Sequence, residues 1–372
     1  MDDISPFTIA VDQTAIDDLN RRLDLARFPA QLPGPYWSKG VPVDYARWLT
    51  GYWRHEFDWE AAQERLNDIP QFTTRIDGSQ VHFIHARSPY SNATPLLMTH
   101  GWPGSIVEFE RIIEPLTLPE DPRDAFHVIA PSLPGFAWSD LIEGGTDAAA
   151  SVWVKLMSRL GYSKYMVQGG DTGAVVSPKV ARLDPERVIG VHTNGIEAFW
   201  FGDEVQLWGL TADERERVTK DRSEGSGYAV IQGTRGQTIS YAFTDSPIGQ
   251  LTWIAEKFHE WTDPRSTLPS DAVDIDQLLT NVSVYWFTAT AGTASENYWY
   301  GIHSGTWGKP LPYSDIPFGN ARFPHDTSVK SFCKREHNVV HWSEFDRGGH
   351  FAAMEAPDLL VDDIRRFARL VR

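Results

Sequence analysis

Cysteine is almost absent, with Cys333 alone in 372 residues. A lone thiol cannot close an internal disulfide, which fits a reducing compartment. Its setting beside Lys334 and Arg335 reads as an ordinary helix position rather than a nucleophile. Long apolar runs are missing too. No stretch reaches the ~20 apolar residues of a membrane span. The opening Met1-Asp2-Asp3-Ile4-Ser5 lacks the basic and apolar regions of a secretory signal. A cytoplasmic protein with no membrane partner is therefore expected. Positive charge is in deficit, 34 Lys and Arg against 50 Asp and Glu, for a net −16. Such a surface repels polyanions, so nucleic acid is excluded as a partner. Neither His-Glu-x-x-His nor Cys-x-x-Cys occurs, and no paired metal spacing is visible. No metal and no cofactor are expected. Internal repeats and low-complexity tracts are absent as well.

Aromatic side chains, in contrast, are abundant. Fifteen tryptophans stand in a chain that is 12% aromatic. Packing in a core accounts for many of them, and a pocket for an apolar or aromatic ligand would use others. The length suits several domains, or one large α/β domain carrying an insertion. Residues 1–70 read as helices and loops. Asp12 or Thr14 is placed to cap a helix through Leu19, Leu23 and Ala26, stopped by Pro29. Tyr45, Trp48, Leu49 and Trp53 then recur at helical spacing over 42–57.

The period changes after residue 70. Segments 72–76 and 81–86 flank Asp77-Gly78, a hairpin signal. Strands are expected at 95–99, 126–130, 165–168 and 188–193. Helices should alternate with them, from Ser105 and over 148–160 and 174–183. That alternation implies a mostly parallel sheet with helices on both faces. It breaks near Gly195, and from there to about Trp307 the chain is aromatic-rich and helical or irregular. Strand and helix signals return at 317–321, 328–334, 339–345 and 358–370. The expected division is an N-terminal region over 1–70, an α/β core over 71–195 and 308–372, and a cap inserted over 196–307.

Three loops carry candidate chemistry. Gly169-Gly170-Asp171-Thr172-Gly173 lies between an expected strand and an expected helix, the setting of a nucleophile elbow with Asp in place of Ser. A carboxylate needs no base to attack a carbon electrophile, but the ester it forms must be hydrolysed by activated water. Capping the following helix would also explain an aspartate there. Asp-Thr-Gly further matches the aspartic-protease signature, which the following helix disfavours. His100-Gly101-Trp102-Pro103-Gly104-Ser105 follows the 95–99 strand, where this topology supplies an oxyanion-binding N–H. The N–H groups of Trp102 and Thr172 are the candidates. Finally, His350 follows Gly348-Gly349 between the last strand and the last helix, where a general base would stand. Asp326 is the preferred carboxylate to orient it, ahead of Asp346 and Glu344.

Taken together, these segments resemble the microsomal-type epoxide hydrolases, a branch of the α/β-hydrolase fold. The resemblance runs along nearly the whole chain. It is carried by Arg21-Arg22-Leu23, Tyr52-Trp53-Arg54, Ile76-Asp77-Gly78, the His100–Ser105 loop, Pro131-Ser132-Leu133-Pro134-Gly135-Phe136, Tyr285-Trp286, Phe323-Pro324 and Arg347 to Ala353. It implies that an epoxide and water yield a vicinal diol through an ester on Asp171, with His350 and Asp326 activating the water. It also implies two cap tyrosines that donate to the epoxide oxygen, matching Tyr228 and Tyr298, with Tyr300 a rival for the second. Two departures stand out: Thr172 where the family often has Trp, and an atypical Trp299-Tyr300-Gly301. Thr172 and the aromatic surplus point to a bulky, aromatic substrate, with Trp102 and Thr172 lining the site, and the second departure points to altered substrate selection. A homodimer stays open. The rival readings are a haloalkane dehalogenase, for which Thr172 offers no indole to hold halide, and a non-catalytic binding protein, which would not need the intact Asp-His-acid set.

Overall fold

A computed structural model describes residues 4–34, 36–195, 209–220, 225–305 and 309–372. Its centre is a nine-stranded sheet in the order β1-β2-β3-β5-β4-β6-β7-β8-β9. The strands are β1 (Ser5–Phe7), β2 (Gln71–Ile76), β3 (Ser79–Ala86), β4 (Thr94–Thr99), β5 (Phe126–Pro131), β6 (Tyr165–Gly170), β7 (Val188–Asn194), β8 (Ser314–Arg322) and β9 (His337–Glu344). Pairings from β4 to β9 are parallel, and those joining β1, β2, β3 and β5 are antiparallel.

Local chemistry explains the layout. Asp77 (φ 53°) and Gly78 (φ 88°) both take positive φ, the requirement of a two-residue turn that matches strand twist. The central strands carry uninterrupted apolar runs, such as Leu96-Leu97-Met98 and Val128-Ile129-Ala130, because helices cover both of their faces. On one face Trp153, Leu156 and Met157 of the helix Gly145–Arg159 pack with Val176 and Val180 of Thr172–Leu183. On the other, Ile112 and Leu116 of Glu110–Thr117 pack with Leu360, Ile364 and Phe367 of Pro357–Val371.

Strand order reverses at β4, which lies between β5 and β6. Loops leaving the carboxyl ends of β4 and β6 therefore part in opposite directions and leave a crevice, where ligands bind in open α/β sheets. Between β7 and β8 the described chain is helical, with Ala212–Lys220, Gly227–Asp245, Pro247–Glu260, Pro269–Ala272, Ile275–Thr288 and Glu296–His303. The expected cap limits at 196 and 307, and the return to the core at 308, lie outside the described residues.

The N-terminal region differs from the helical reading in one respect. Ser5–Phe7 forms an edge strand on β2. The helices Gln13–Asp24 and Val43–His55 follow the expected spacing, with Asp12 capping the first through the Thr14 N–H, and Trp59–Asn67 adds a third beyond those the spacing predicts. They lie against the inserted helices: Trp53 Nε1 donates to Ser283 Oγ at 3.0 Å, and Arg22 pairs with Asp245 at 2.9 Å. Among the described residues, no helix is long and apolar enough to cross a membrane.

Candidate active site

β6 passes into the helix Thr172–Leu183 through Asp171, whose φ of 52° and ψ of −126° are unusual for a residue with a side chain. Only glycines permit this turn. A Cβ on Gly169 would collide with the Gly173 backbone, one on Gly173 with the Thr99 carbonyl, and one on Gly101 with the Asp171 carboxylate itself. The turn places the Asp171 side chain over the crevice, 7% exposed.

Its two oxygens have different surroundings. Oδ1 accepts from the Trp102 N–H (2.8 Å), the Thr172 N–H (2.6 Å) and the Thr172 hydroxyl (2.9 Å). Oδ2 stands 3.3 Å from His350 Nε2. Burial opposes ionisation, but the His350 ring and the two N–H donors outweigh it and hold the carboxyl below its ordinary value. Thr172, read from sequence as the loss of a large pocket wall, also donates its hydroxyl to the neighbouring carboxylate.

The donor loop after β4 is held from both sides. His100 is fully buried, and burial lowers its pKa to about 4, so the ring is neutral. Nδ1 then donates to the Gly101 carbonyl (3.1 Å), and Nε2 accepts from the Leu133 N–H (3.1 Å). From the helix Ile275–Thr288, Asn281 Nδ2 donates to the Pro103 carbonyl (2.7 Å) and the Tyr285 hydroxyl to the Gly104 carbonyl (2.6 Å). These ties fix the N–H that meets Asp171.

His350 and Asp326 line one pocket together with Asn194, Tyr228, Trp261 and Phe323. Asp326 is half-buried with its Oδ2 enclosed, and the loss of water around the carboxyl raises its pKa to about 6 against the opposing hydrogen bonds of Ser328. Ser328 occupies Oδ1 through its N–H (2.7 Å) and its hydroxyl (2.5 Å). Oδ2 has no hydrogen-bond partner among the described residues. Asp346 is exposed, and Glu344 is engaged by Arg322 (2.7 Å) and Trp342 (3.0 Å). Neither shares the pocket with His350.

Rings of the inserted helices close the site. Tyr228 stacks on Trp102 with centroids 5.2 Å apart and planes 8° apart. Tyr298 meets both, 5.9 Å from Trp102 and 5.7 Å from Tyr228. Trp261 touches Tyr228 (5.0 Å) and the His350 ring (4.8 Å). Tyr300 lies elsewhere, hydrogen-bonded to Glu143 and packed on Gly145. The structure thus gathers Asp171, His350, Asp326, Tyr228, Tyr298, Trp102 and Thr172 in one place and leaves Tyr300, Asp346 and Glu344 outside it.

A model of the epoxide hydrolase N terminus matches residues 4–109, and one of the alpha/beta hydrolase fold matches residues 94–223. A Stigmatella aurantiaca protein, provisionally named an epoxide hydrolase, is 41% identical over 99% of this chain and 86% of its own length. Epoxide hydrolase 1 of Sus scrofa is 33% identical over 99% of this chain and 89% of its own. The chain belongs to the epoxide hydrolase family. In three dimensions it is similar to the crystal structure of juvenile hormone epoxide hydrolase from Bombyx mori. That match has a TM-score of 0.91 at 30% identity, covering 100% of this chain and 95% of the other. The α/β-hydrolase fold expected from the alternating strands and helices is therefore the fold of this epoxide hydrolase.

Four further residues adjoin the site without having been singled out from sequence. Glu108 lies near Asp171, and burial and that neighbouring charge raise its pKa well above its ordinary value. The Lys257 ammonium is buried over the Tyr228 ring, 4.9 Å from its centroid, and pairs with Glu260 at 2.5 Å. Trp261 and Glu355 contact the His350 loop. No motif marks them. Each is an ordinary helix or helix-end residue until the cap is folded over the core.

Proposed function

We propose that this epoxide hydrolase works through a covalent ester on Asp171, and that the unequal surroundings of the two Asp171 oxygens carry the reading. Oδ1 is already held by three donors, so Oδ2 is the oxygen left to attack. It bonds to an epoxide carbon as the ring C–O bond breaks. The alkoxide takes a proton from Tyr228 or Tyr298, and the phenolate regains one from water. In the second step, water gives a proton to His350 Nε2 and adds to the Asp171 carboxyl carbon. Charge then develops on Oδ1, where the Trp102 and Thr172 donors already stand, so little reorganisation is needed. Collapse breaks the bond from the carboxyl carbon to Oδ2. The departing diol oxygen takes the proton from His350, and the carboxylic acid left on Asp171 gives its proton to the hydroxide that the first step left behind, which restores the carboxylate. Asp326 Oδ2, buried and unpartnered, is the acceptor we assign to the other side of the His350 ring.

The substrate is a small-molecule epoxide, and the tyrosine and tryptophan rings around the pocket favour a bulky aryl one. Intact-mass measurement of His350→Gln with styrene oxide tests the mechanism. The expected result is a gain equal to the whole epoxide, absent when Asp171 is also replaced by Ala. Full turnover by Asp171→Ala alone would overturn it.

A further inference from the structure

The loop carrying His350 is fastened to the cap by a set of hydrogen bonds that runs in both directions. The His350 N–H donates to the Trp261 carbonyl at 2.8 Å. Gly348 N–H donates to Asp263 Oδ2 at 2.9 Å. In return, the Asp263 N–H donates to Glu355 Oε2 at 2.8 Å, while Glu355 Oε1 accepts from the Phe351 N–H at 3.0 Å. One carboxylate from the cap thus holds the loop before His350, and one from the core helix Ala352–Glu355 holds the loop after it and the cap turn together.

Packing leaves this junction no slack. A Cβ on Gly349 would sit 2.6 Å from the Trp261 carbonyl oxygen and 2.8 Å from the Asp263 nitrogen. Phe351 stacks flat on Phe258 of the cap, centroids 4.0 Å apart and planes 3° apart. The His350 ring rests on Trp261. Arg265 engages both Asp263 oxygens and holds that carboxyl ionised, its pKa lowered to about 2. Burial, by contrast, pushes Glu355 up to about 8, so near neutral pH it serves as an uncharged acceptor and Gln is its near isostere.

We propose that Glu355 and Asp263 are positioning residues which mount the general base on the cap, setting the place of His350 for ester hydrolysis but not for ring opening. The division follows from the chemistry. Ring opening uses Asp171, the Oδ1 donors and the tyrosines, none of which this junction hydrogen-bonds; His350 also helps to keep Asp171 ionised, but the Trp102 and Thr172 N–H groups keep their hold on it when the ring shifts. Water activation uses His350 Nε2, and an error of about 1 Å in a reacting group costs on the order of 100-fold in rate. The inference rests on His350 being the base.

Single-turnover intact-mass kinetics with styrene oxide separate the two steps. In Glu355→Ala and Asp263→Ala, ester formation should keep its wild-type rate within a factor of about two, while its decay slows about 10–100-fold and ester accumulates. Glu355→Gln and Asp263→Asn, which keep an acceptor and the shape, should decay at intermediate rates. They also carry the test if the alanine variants do not fold. A merely structural role would slow both steps together or lower only the melting temperature, and either result overturns the proposal. His350→Gln is run beside them. If it traps ester while the junction variants decay at the wild-type rate, the junction reading falls and the base assignment stands. If His350→Gln traps none, the base assignment falls and the junction reading falls with it.

Discussion

At single positions, what a residue lacks matters as much as what it carries. Gly173 is the second residue of the helix that follows Asp171, and its α-hydrogen faces the Thr99 carbonyl of β4 with no space for a methyl group. That neighbour is backbone in the middle of the sheet and cannot turn aside. Gly51, within the helix Val43–His55, has nothing within 4 Å of a built Cβ. The same substitution should therefore act with opposite sign at the two sites. Gly173→Ala is expected to destabilise by about 1–3 kcal/mol or more through overpacking. Gly51→Ala should stabilise by about 0.5–1 kcal/mol, because it removes backbone freedom from the unfolded chain. Urea midpoints of the two variants beside wild type check both. A drop at Gly51 would mean that the helix tolerates no added bulk there.

Among the elements, the C-terminal helix Pro357–Val371 is pinned to the sheet by one buried carboxylate. Asp363 Oδ2 meets His192 Nε2 of β7 at 3.0 Å, its Oδ1 meets His341 Nε2 of β9 at 2.8 Å, and the Ser343 hydroxyl donates to it as well. Burial alone would raise this pKa, but the two rings and the hydroxyl overcome it and depress it strongly. A carboxyl with a depressed folded pKa contributes stability above its unfolded value of about 4 and loses it as the pH falls further. Asp363→Asn should thus be less stable than wild type by about 1–3 kcal/mol near neutral pH. The gap should narrow as the pH is taken below about 4, followed by urea midpoints at each pH. A gap constant with pH would assign the effect to packing instead. Elements also show what sequence makes visible. The β2–β3 hairpin, the elbow and the Gly-Gly-His loop were legible because each rests on local backbone demands, positive φ or no room for a Cβ, that glycine-containing sequences meet. Strand β1, three residues at a sheet edge, offers no period to read. Asp326 was legible as a position, but that Ser328 engages one oxygen and leaves the other free depends on the fold. Lys257, Asp263 and Glu355 look like solvated helix charges until the cap is folded over the core.

The whole molecule carries a net charge of −16, and within that field Glu108 adjoins Asp171 while Asp326 shares a pocket with His350, whose ring meets Asp171. Asp171 is the one held below its ordinary pKa, and burial holds the other two above theirs, so the pocket avoids a cluster of like charges. The surface has no such relief. A neutral epoxide feels little of this potential, whereas an epoxide bearing a carboxylate is repelled at every distance within about a Debye length, ~10 Å at 0.1 M salt. Added salt shortens that length and weakens the repulsion. For an aryl epoxide and its carboxylated analogue, kcat/KM should respond differently to sodium chloride between 10 mM and 500 mM. The neutral substrate is expected to change by less than about twofold, and the anionic one to rise several-fold from a low starting value. The sign is the decisive part. If kcat/KM for the anion fell with salt, cationic groups local to the mouth would have to outweigh the global charge, and Lys257, already paired with Glu260 beneath Tyr228, is not free to be one of them.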